Sequence, residues 1–597
     1  MSVDDSVKGP AKRAAKARAT GAAKPRRTSA RSSAAAPPVQ DDPEEVVADI
    51  AADGVAGTDP VAAPSLVDAV REVGGVFTQL GALNRSGRKL AAELGRVALG
   101  TTSITPSKKD WRFTDPAWSD SPFYRRVGQS YLAGCSFVDE LLDEMAANGR
   151  NTTKARFLLN VLTSAAAPTN TVLGNPPALK RALETGGISL LRGTRNWVGD
   201  MRHNGGMPSS VDRSAFHVGR DLALSPGAVI DRDPYGEVLQ YQPTTDTVRE
   251  RPVLVIPPPI GRYYFLDLRP GRSFVEYTVG RGVQTFMLSW RNPTKDEGDW
   301  DLETYARRVL SAIDAVREVT GSPDVNVIGF CAGGILMTLV LNHLASMGDD
   351  RVHTASYAVT LLDWAGDAPI SAFSSPKLLA FARWNSTRKG IIDARSMGMV
   401  FTFMRPNELV WNYWVNNYLM GNSPPVFDIL AWNADGTNLP AALHRQFLDM
   451  FETNNMCHPG ELTVLGTPVD LSQIKVPTYV TGGTTDHLTP WTGCYRTTQL
   501  LSGPTTFVLS NAGHIQSLVN PPSNPKASYF AGPEPGPDPQ EWLARAERQQ
   551  GTWWTHWVDW LSARAGEQIP APKNLGSRSH PAREPAPGRY VRDEKPS

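Results

Sequence analysis

Cysteine is scarce in this chain: four residues in 597, at Cys135, Cys331, Cys457 and Cys494. They lie far apart with no CxxC or CxxH spacing, which excludes a disulfide framework and a cysteine-ligated metal, and points to a reducing compartment. Net charge is nearly absent, +1 from 61 Lys and Arg against 60 Asp and Glu, so the chain as a whole has no pull towards nucleic acid or anionic membrane. Long apolar runs are missing too. The most apolar helix-like stretch, Ile335–Leu341, is far shorter than a bilayer span, and no apolar segment follows the early Lys and Arg residues as in a signal peptide. No internal repeat is evident. With 41% hydrophobic and 20% charged residues, the remaining expectation is a cytoplasmic globular protein of two or three folded units.

Residues 1–60 are rich in Ala, Lys, Arg, Ser and Pro and turn acidic at DDPEE. Without large apolar residues to offset its ordering entropy, this segment is expected to be a disordered basic tail. Such a tail suits contact with nucleic acid or an anionic surface, and suits a solubilising extension equally well. Over 61–222 apolar residues recur at helical spacing, as in SLVDAVREVGGVFTQLGALNRSGRKLAAELGRVAL, with interruptions at a glycine pair and at Ser86-Gly87. No strong strand run occurs there, which predicts a mainly helical N-terminal domain.

After Arg220 short β-rich runs begin: Val253–Ile256, Gln284–Ser289, Val325–Ile328, Ala358–Leu362, Pro477–Thr481 and Thr506–Leu509. Helical stretches such as Leu302–Val319 and Ile335–Ser346 separate several of them, the signature of a mostly parallel sheet with both faces covered. Residues 223–597 are therefore expected to form an α/β domain. Between about 367 and 442 the strand spacing lapses into the aromatic LVWNYWVNNYLMGNSPPVFDILAWN. An insertion of this kind predicts a cap over the C-terminal edge of the strands, a buried structural subdomain being the alternative. A Trp-rich helix, Trp553–Leu561, has spacing that suits core packing; facing an apolar ligand is the other reading.

Gly329-Phe330-Cys331-Ala332-Gly333 follows the strand VNVI and precedes the helix ILMTLVLNHLA. This is the context of a nucleophile elbow, where residues two before and two after must be tiny for strand and helix to approach. The turn presents the Cys331 thiol at a helix N-terminus, which favours a thiolate, and makes the Ala332 N–H a natural oxyanion donor. The order nucleophile, acid, base is met by Asp486 in GGTTDHLTPW and His514 in SNAGH, each in a loop after a strand. His487 is the rival base, but adjacent residues tend to point apart. His343 reads as a core residue and His458 as structural or exposed.

Cysteine at an elbow changes the energetics relative to serine. Acyl transfer from a thioester to a thiol is nearly thermoneutral, so the acyl group stays activated for a second nucleophile such as an alcohol. A site that excludes water then favours transfer over hydrolysis.

Around these residues the chain resembles the polyhydroxyalkanoate synthase family over nearly everything beyond residue 60. The motifs run in order: LGRVALGTTSITPSKKDWRFTDPAW, FYRRVGQSYL, PPPIGRYYFLDL, SWRNP, GFCAGG, RPNELVWNYWVNNYLMGN, WNADGTNLP, GTPVDL, TTDHLTPW, GHIQSLVNPP and APGRYV. The resemblance implies an α/β-hydrolase fold with a cap, and polymerisation of (R)-3-hydroxyacyl-CoA into polyester with release of CoA. It implies Cys331 as the acylated nucleophile, His514 as its base, and Asp486 as the acid that orients His514 or also helps activate the 3-hydroxyl. The N–H groups of Ala332 and Ile260 would hold the oxyanion. No cofactor and no metal is implied, CoA being only a leaving group. Gly261 stands where the family commonly shows Asn. WNYWVNNYL, PPVFDIL and GHIQSLVNPP look most like the medium-chain-length branch, class II, with class I next, and Gln516 is implied to contact substrate. The resemblance also implies a single-subunit type, a homodimer, and residence at the surface of cytoplasmic polymer granules beside granule-associated proteins. Two other readings stand beside it: a thioesterase or polyester depolymerase of the same fold, and a non-catalytic granule- or nucleoid-binding protein working through its basic tail.

Overall fold

The computed structural model describes residues 80–108, 110–148, 152–365 and 376–593. The tail expected over 1–60 and the glycine pair lie outside them. The N-terminal region is helical, with α1 (Leu80–Leu99), α2 (Pro122–Ala147), α3 (Thr153–Ala165), α4 (Pro176–Glu184) and α5 (Ile188–His203). The interruption read at Ser86-Gly87 is absent: α1 runs straight through. A Cβ on Gly87 would meet nothing within 4 Å, so this glycine costs the helix only about 1 kcal/mol of propensity and no packing.

A ten-stranded sheet forms the core, from β1 (Gly227–Arg232), β2 (Gly236–Tyr241), β3 (Val253–Ile256), β4 (Thr285–Trp290), β5 (Val325–Phe330), β6 (Val352–Ala358), β7 (Thr478–Gly483), β8 (Thr505–Ser510), β9 (Ser528–Ala531) and β10 (Glu547–Gln550). Their spatial order is β1-β2-β4-β3-β5-β6-β7-β8-β9-β10. The run β4 to β8 is parallel and the pairs at either end are antiparallel. Strand order reverses at the neighbours β3 and β5, so the crevice at their C-terminal ends is the switch point where ligands of open α/β sheets bind.

α6 (Leu302–Thr320) and α7 (Ala332–Ser346) pack on this sheet. α6 starts where Asp301 accepts from the Thr304 N–H and stops at Gly321, φ +69°. One expected strand is displaced: β6 is Val352–Ala358, not Ala358–Leu362, because Val359 at φ +45° ends it. The Trp-rich helix spans Trp553–Ser562, and its residues Trp553, Trp554, Trp557 and Trp560 are all buried in the core, as their spacing suggested.

The insertion between β6 and β7 carries helices α8 (Pro376–Lys389) and α9 (Ala394–Met404), then π-helical turns at Asn407–Trp411 and Val415–Leu419. The N-terminal region grips those turns. The Tyr418 hydroxyl donates to Asp200 Oδ2 (2.7 Å), the Asn417 amide to the Ser209 carbonyl (2.7 Å), and the Trp414 indole N–H to the Asn170 carbonyl (3.1 Å). Gly193 on α5 lets the helix lie against the Tyr418 backbone, which a Cβ would strike. The later part of the insertion is tied to the sheet domain instead, where Arg269 and Arg272 clasp the buried Asp428.

A distant closure completes β2. The fully buried Glu237 pairs with Arg232 and accepts from the backbone N–H groups of Arg589 and Tyr590, 352 and 353 residues further on.

Candidate active site

β5 ends at Phe330 and α7 begins at Ala332, so Cys331 alone makes the turn. It sits at φ +50°, ψ −125°, strained for any residue with a side chain. Small residues permit it. A Cβ on Gly329 would press on the Gly334 backbone, one on Gly333 would strike the Ile256 carbonyl, and one on Gly334 would strike Thr360. The Thr360 hydroxyl also donates to the Cys331 carbonyl at 3.0 Å, fixing the elbow from the end of β6.

Asp486 follows β7 and His514 follows β8, and the parallel register of these strands brings both to Cys331. His514 Nδ1 lies 2.7 Å from Asp486 Oδ2. The Cys331 side chain hydrogen-bonds the imidazole, and Nε2, buried with no nitrogen or oxygen partner, is the atom left to face it. Burial opposes charge on His514, but the adjoining Asp486 carboxylate and the Cys331 contact outweigh it and hold the imidazole well above its ordinary value. Burial likewise works against the Asp486 carboxylate; the His514 charge and hydrogen bonds from His514 and Thr489 win, and its value lies below the usual range.

Asp486 is saturated. Oδ1 accepts from the N–H groups of Leu488 (2.8 Å) and Thr489 (2.9 Å), and Oδ2 from the Thr489 hydroxyl (2.7 Å) and His514. Thr489 is a site residue that sequence reading missed: in HLTPW it looks like an ordinary loop threonine, and only the Asx-type turn begun by Asp486 could have signalled it. His487 does not join the group; burial drives its imidazole down to about 4. His343, expected in the core, is half-buried at the end of α7 with Nδ1 2.7 Å from the Thr467 hydroxyl, and His458 is exposed.

Of the two expected oxyanion donors, Ala332 opens α7, so its N–H has no carbonyl a turn back within the helix. Ile260 lies four residues beyond β3 and is buried. The next residue, Gly261, has φ +106°, a conformation that favours glycine. Its N–H donates to the Thr437 hydroxyl (2.6 Å), and Trp432 from the insertion stands over it, 3.3 Å from where a Cβ would be. Gln516 is half-buried in the short helix His514–Val519 that the base begins. A cavity of about 490 Å³ opens beside the Ile260–Gly261 loop. All four cysteines are free, and among the described residues no group of three or more His, Cys, Asp or Glu side chains is placed to hold a metal ion. No described helix is long and apolar enough to cross a membrane.

Comparison with known proteins adds to this geometry. Residues 109–278 match the family model described as the poly-beta-hydroxybutyrate polymerase (PhaC) N-terminus, and residues 272–521 match the alpha/beta hydrolase fold. The chain is 46% identical to poly(3-hydroxyalkanoate) polymerase 1 of Ectopseudomonas oleovorans, over 84% of this chain and 89% of that one. It is 37% identical to the poly(3-hydroxyalkanoate) polymerase subunit PhaC of Cupriavidus necator, over 91% and 92% respectively. Among solved structures, a Paleococcus ferrophilus monoacylglycerol lipase aligns with 55% of this chain and 99% of its own, at 14% identity and TM-score 0.31.

Proposed function

This chain belongs to the poly(3-hydroxyalkanoate) polymerase family, and from that premise we propose that it builds polyester from (R)-3-hydroxyacyl-CoA through an acyl-enzyme on Cys331. The observation that carries the reading is the buried line from the elbow thiol through His514 to Asp486, closed by the 2.7 Å contact.

His514 takes the thiol proton and the thiolate attacks the thioester carbonyl. The N–H groups of Ala332 and Ile260 hold the oxyanion, and the loss of one such donor costs about 100-fold or more. The tetrahedral adduct expels CoA as its thiolate, which takes the proton from the imidazolium. The 3-hydroxyl of a second unit then gives its proton to His514 and attacks the acyl-cysteine, the ester forms, and the Cys331 sulfur leaves and is reprotonated. Asp486 has no lone pair to spare for that hydroxyl, which supports orientation and polarisation of His514 as its role. Water is kept from the acyl-enzyme by burial: Cys331 is 4% exposed and His514 0%. This favours transfer over the hydrolysis that a thioesterase or depolymerase would perform.

The same reading includes a preference for medium-chain monomers, with Gln516 near the acyl group, a homodimer, and residence at the granule surface; these rest on family resemblance. The test is CoA release from 3-hydroxybutyryl-CoA and 3-hydroxydecanoyl-CoA by wild type and Cys331→Ala, with the product examined for polymer. Cys331-dependent release with polymer is the expected result. Equal amounts of free 3-hydroxy acid and CoA, without polymer, would make the protein a hydrolase.

A further inference from the structure

The cavity beside the Ile260–Gly261 loop is walled by five separate stretches: residues 203–213 from the end of α5 onward, the Ile260–Arg262 loop, α9 of the insertion, Leu409 and Tyr413 after it, and Trp432–Thr437. Asp593 closes a further side. Its volume, about 490 Å³, is within the range of small-molecule sites.

Charge is distributed unevenly in it. The two acids, Asp435 and Asp593, are both committed to the buried Arg262 guanidinium, which also donates to the Tyr590 carbonyl. Two further arginines line the cavity, Arg213 and Arg395, and neither forms an ion pair among the described residues. Arg395 is nonetheless held in place: its guanidinium lies where a Cβ of Gly205 would be, and Gly205 at φ +56° is what leaves that room. A cation from the N-terminal region and one from the insertion thus line one cavity, and with Arg262 they outnumber its two acids by one. The same lining includes an aromatic and apolar part, with Tyr413, Leu409 and Trp432, as well as Ile260 and Gly261.

We propose that this cavity is the seat of the CoA portion of the substrate: Arg213 and Arg395 take its phosphates, and the pantetheine arm runs along Tyr413 and Trp432 to the Ile260–Gly261 loop. The proposal rests on the acyl-CoA reading above and adds a site to it, one wall of which comes from the N-terminal region. Cys331 is not among the lining residues, so the thioester reaches the sulfur past that loop. Phosphates suit the opening because guanidinium binds them bidentately, and because no carboxylate competes for either arginine.

The test compares two donors carrying the same acyl group, (R)-3-hydroxydecanoyl-CoA and its N-acetylcysteamine thioester, which has no phosphate. In Arg213→Ala/Arg395→Ala the ratio of kcat/KM for the CoA ester to that for the truncated ester is expected to fall about 30-fold or more, since each charge-assisted contact is worth roughly tenfold. Arg213→Lys/Arg395→Lys should recover much of the ratio, which a folding defect would not allow. Binding of free CoA to Cys331→Ala, followed by calorimetry, should weaken at least tenfold when both arginines are replaced. An unchanged ratio together with unchanged CoA affinity overturns the proposal. A wild type that binds CoA through these arginines yet makes no polymer would instead remove the polymerase reading and leave the site standing.

Discussion

The Thr489 hydroxyl donates to Asp486 Oδ2 at 2.7 Å, the same oxygen that meets His514, and lies 3.1 Å from His514 Nδ1. It holds acid and base at a fixed angle from a third corner. Replacing it by valine keeps the shape and removes the donor. Thr489→Val is expected to lower kcat/KM about tenfold or more, the usual worth of a hydrogen bond to a charged group, with Thr489→Ser restoring most of it. Steady-state kinetics on the three proteins decide this, and equal rates would remove Thr489 from the machinery.

Asp486→Asn removes the main influence that raises the His514 value against burial. The plateau rate should drop by about 10³-fold or more, as when a triad acid is amidated. The imidazole titration, read from the NMR of His514 in wild type and variant, should move to lower pH.

The same pair links stability to pH. His514, raised in the folded state, contributes stability that is fully present below its unfolded value near 6.5 and fades as pH rises through the folded one. Asp486, depressed, contributes above its unfolded value near 3.9, and that part is lost as pH falls through the folded one. Denaturation midpoints should therefore show the largest gap between wild type and His514→Gln in the window between those two pH values, and a narrowing gap on either side.

Glycine substitutions should separate by position. Gly333→Ala drives a Cβ into the Ile256 and Pro257 carbonyls and should abolish turnover. Gly95→Ala, on the exposed side of α1 with nothing within 4 Å, should be neutral or stabilising by up to about 1 kcal/mol. Melting curves and CoA-release rates on both variants check this.

The elbow, acid and base could be read from the sequence because each is announced locally, by a strand, a turn and small neighbours. β6 was misplaced for a physical reason. Its residues VHTASYA look polar, yet inside the sheet Thr354 donates to Asn326 Oδ1 (2.7 Å) and Ser356 accepts from the Trp557 indole (2.9 Å). Buried polar groups paired across the fold hide a strand from any apolar pattern. β10, the exposed edge strand ERQQ, has no apolar face to detect at all. Thr489, Thr437 and the grip of the N-terminal helices on Tyr418 were likewise out of reach, since each depends on contacts between segments far apart in the chain.

Glu237 has a consequence during synthesis. Its carboxylate is sealed inside the sheet, and the backbone amides that meet it belong to Arg589 and Tyr590. Until the ribosome has delivered those residues, Arg232 is the partner this carboxylate has from the neighbouring strand, and the acceptor sites that the two amides take must be met by water. A polypeptide cut short before that point would expose this gap to proteases, so the sealing of Glu237 joins parts of the chain that are made far apart in time.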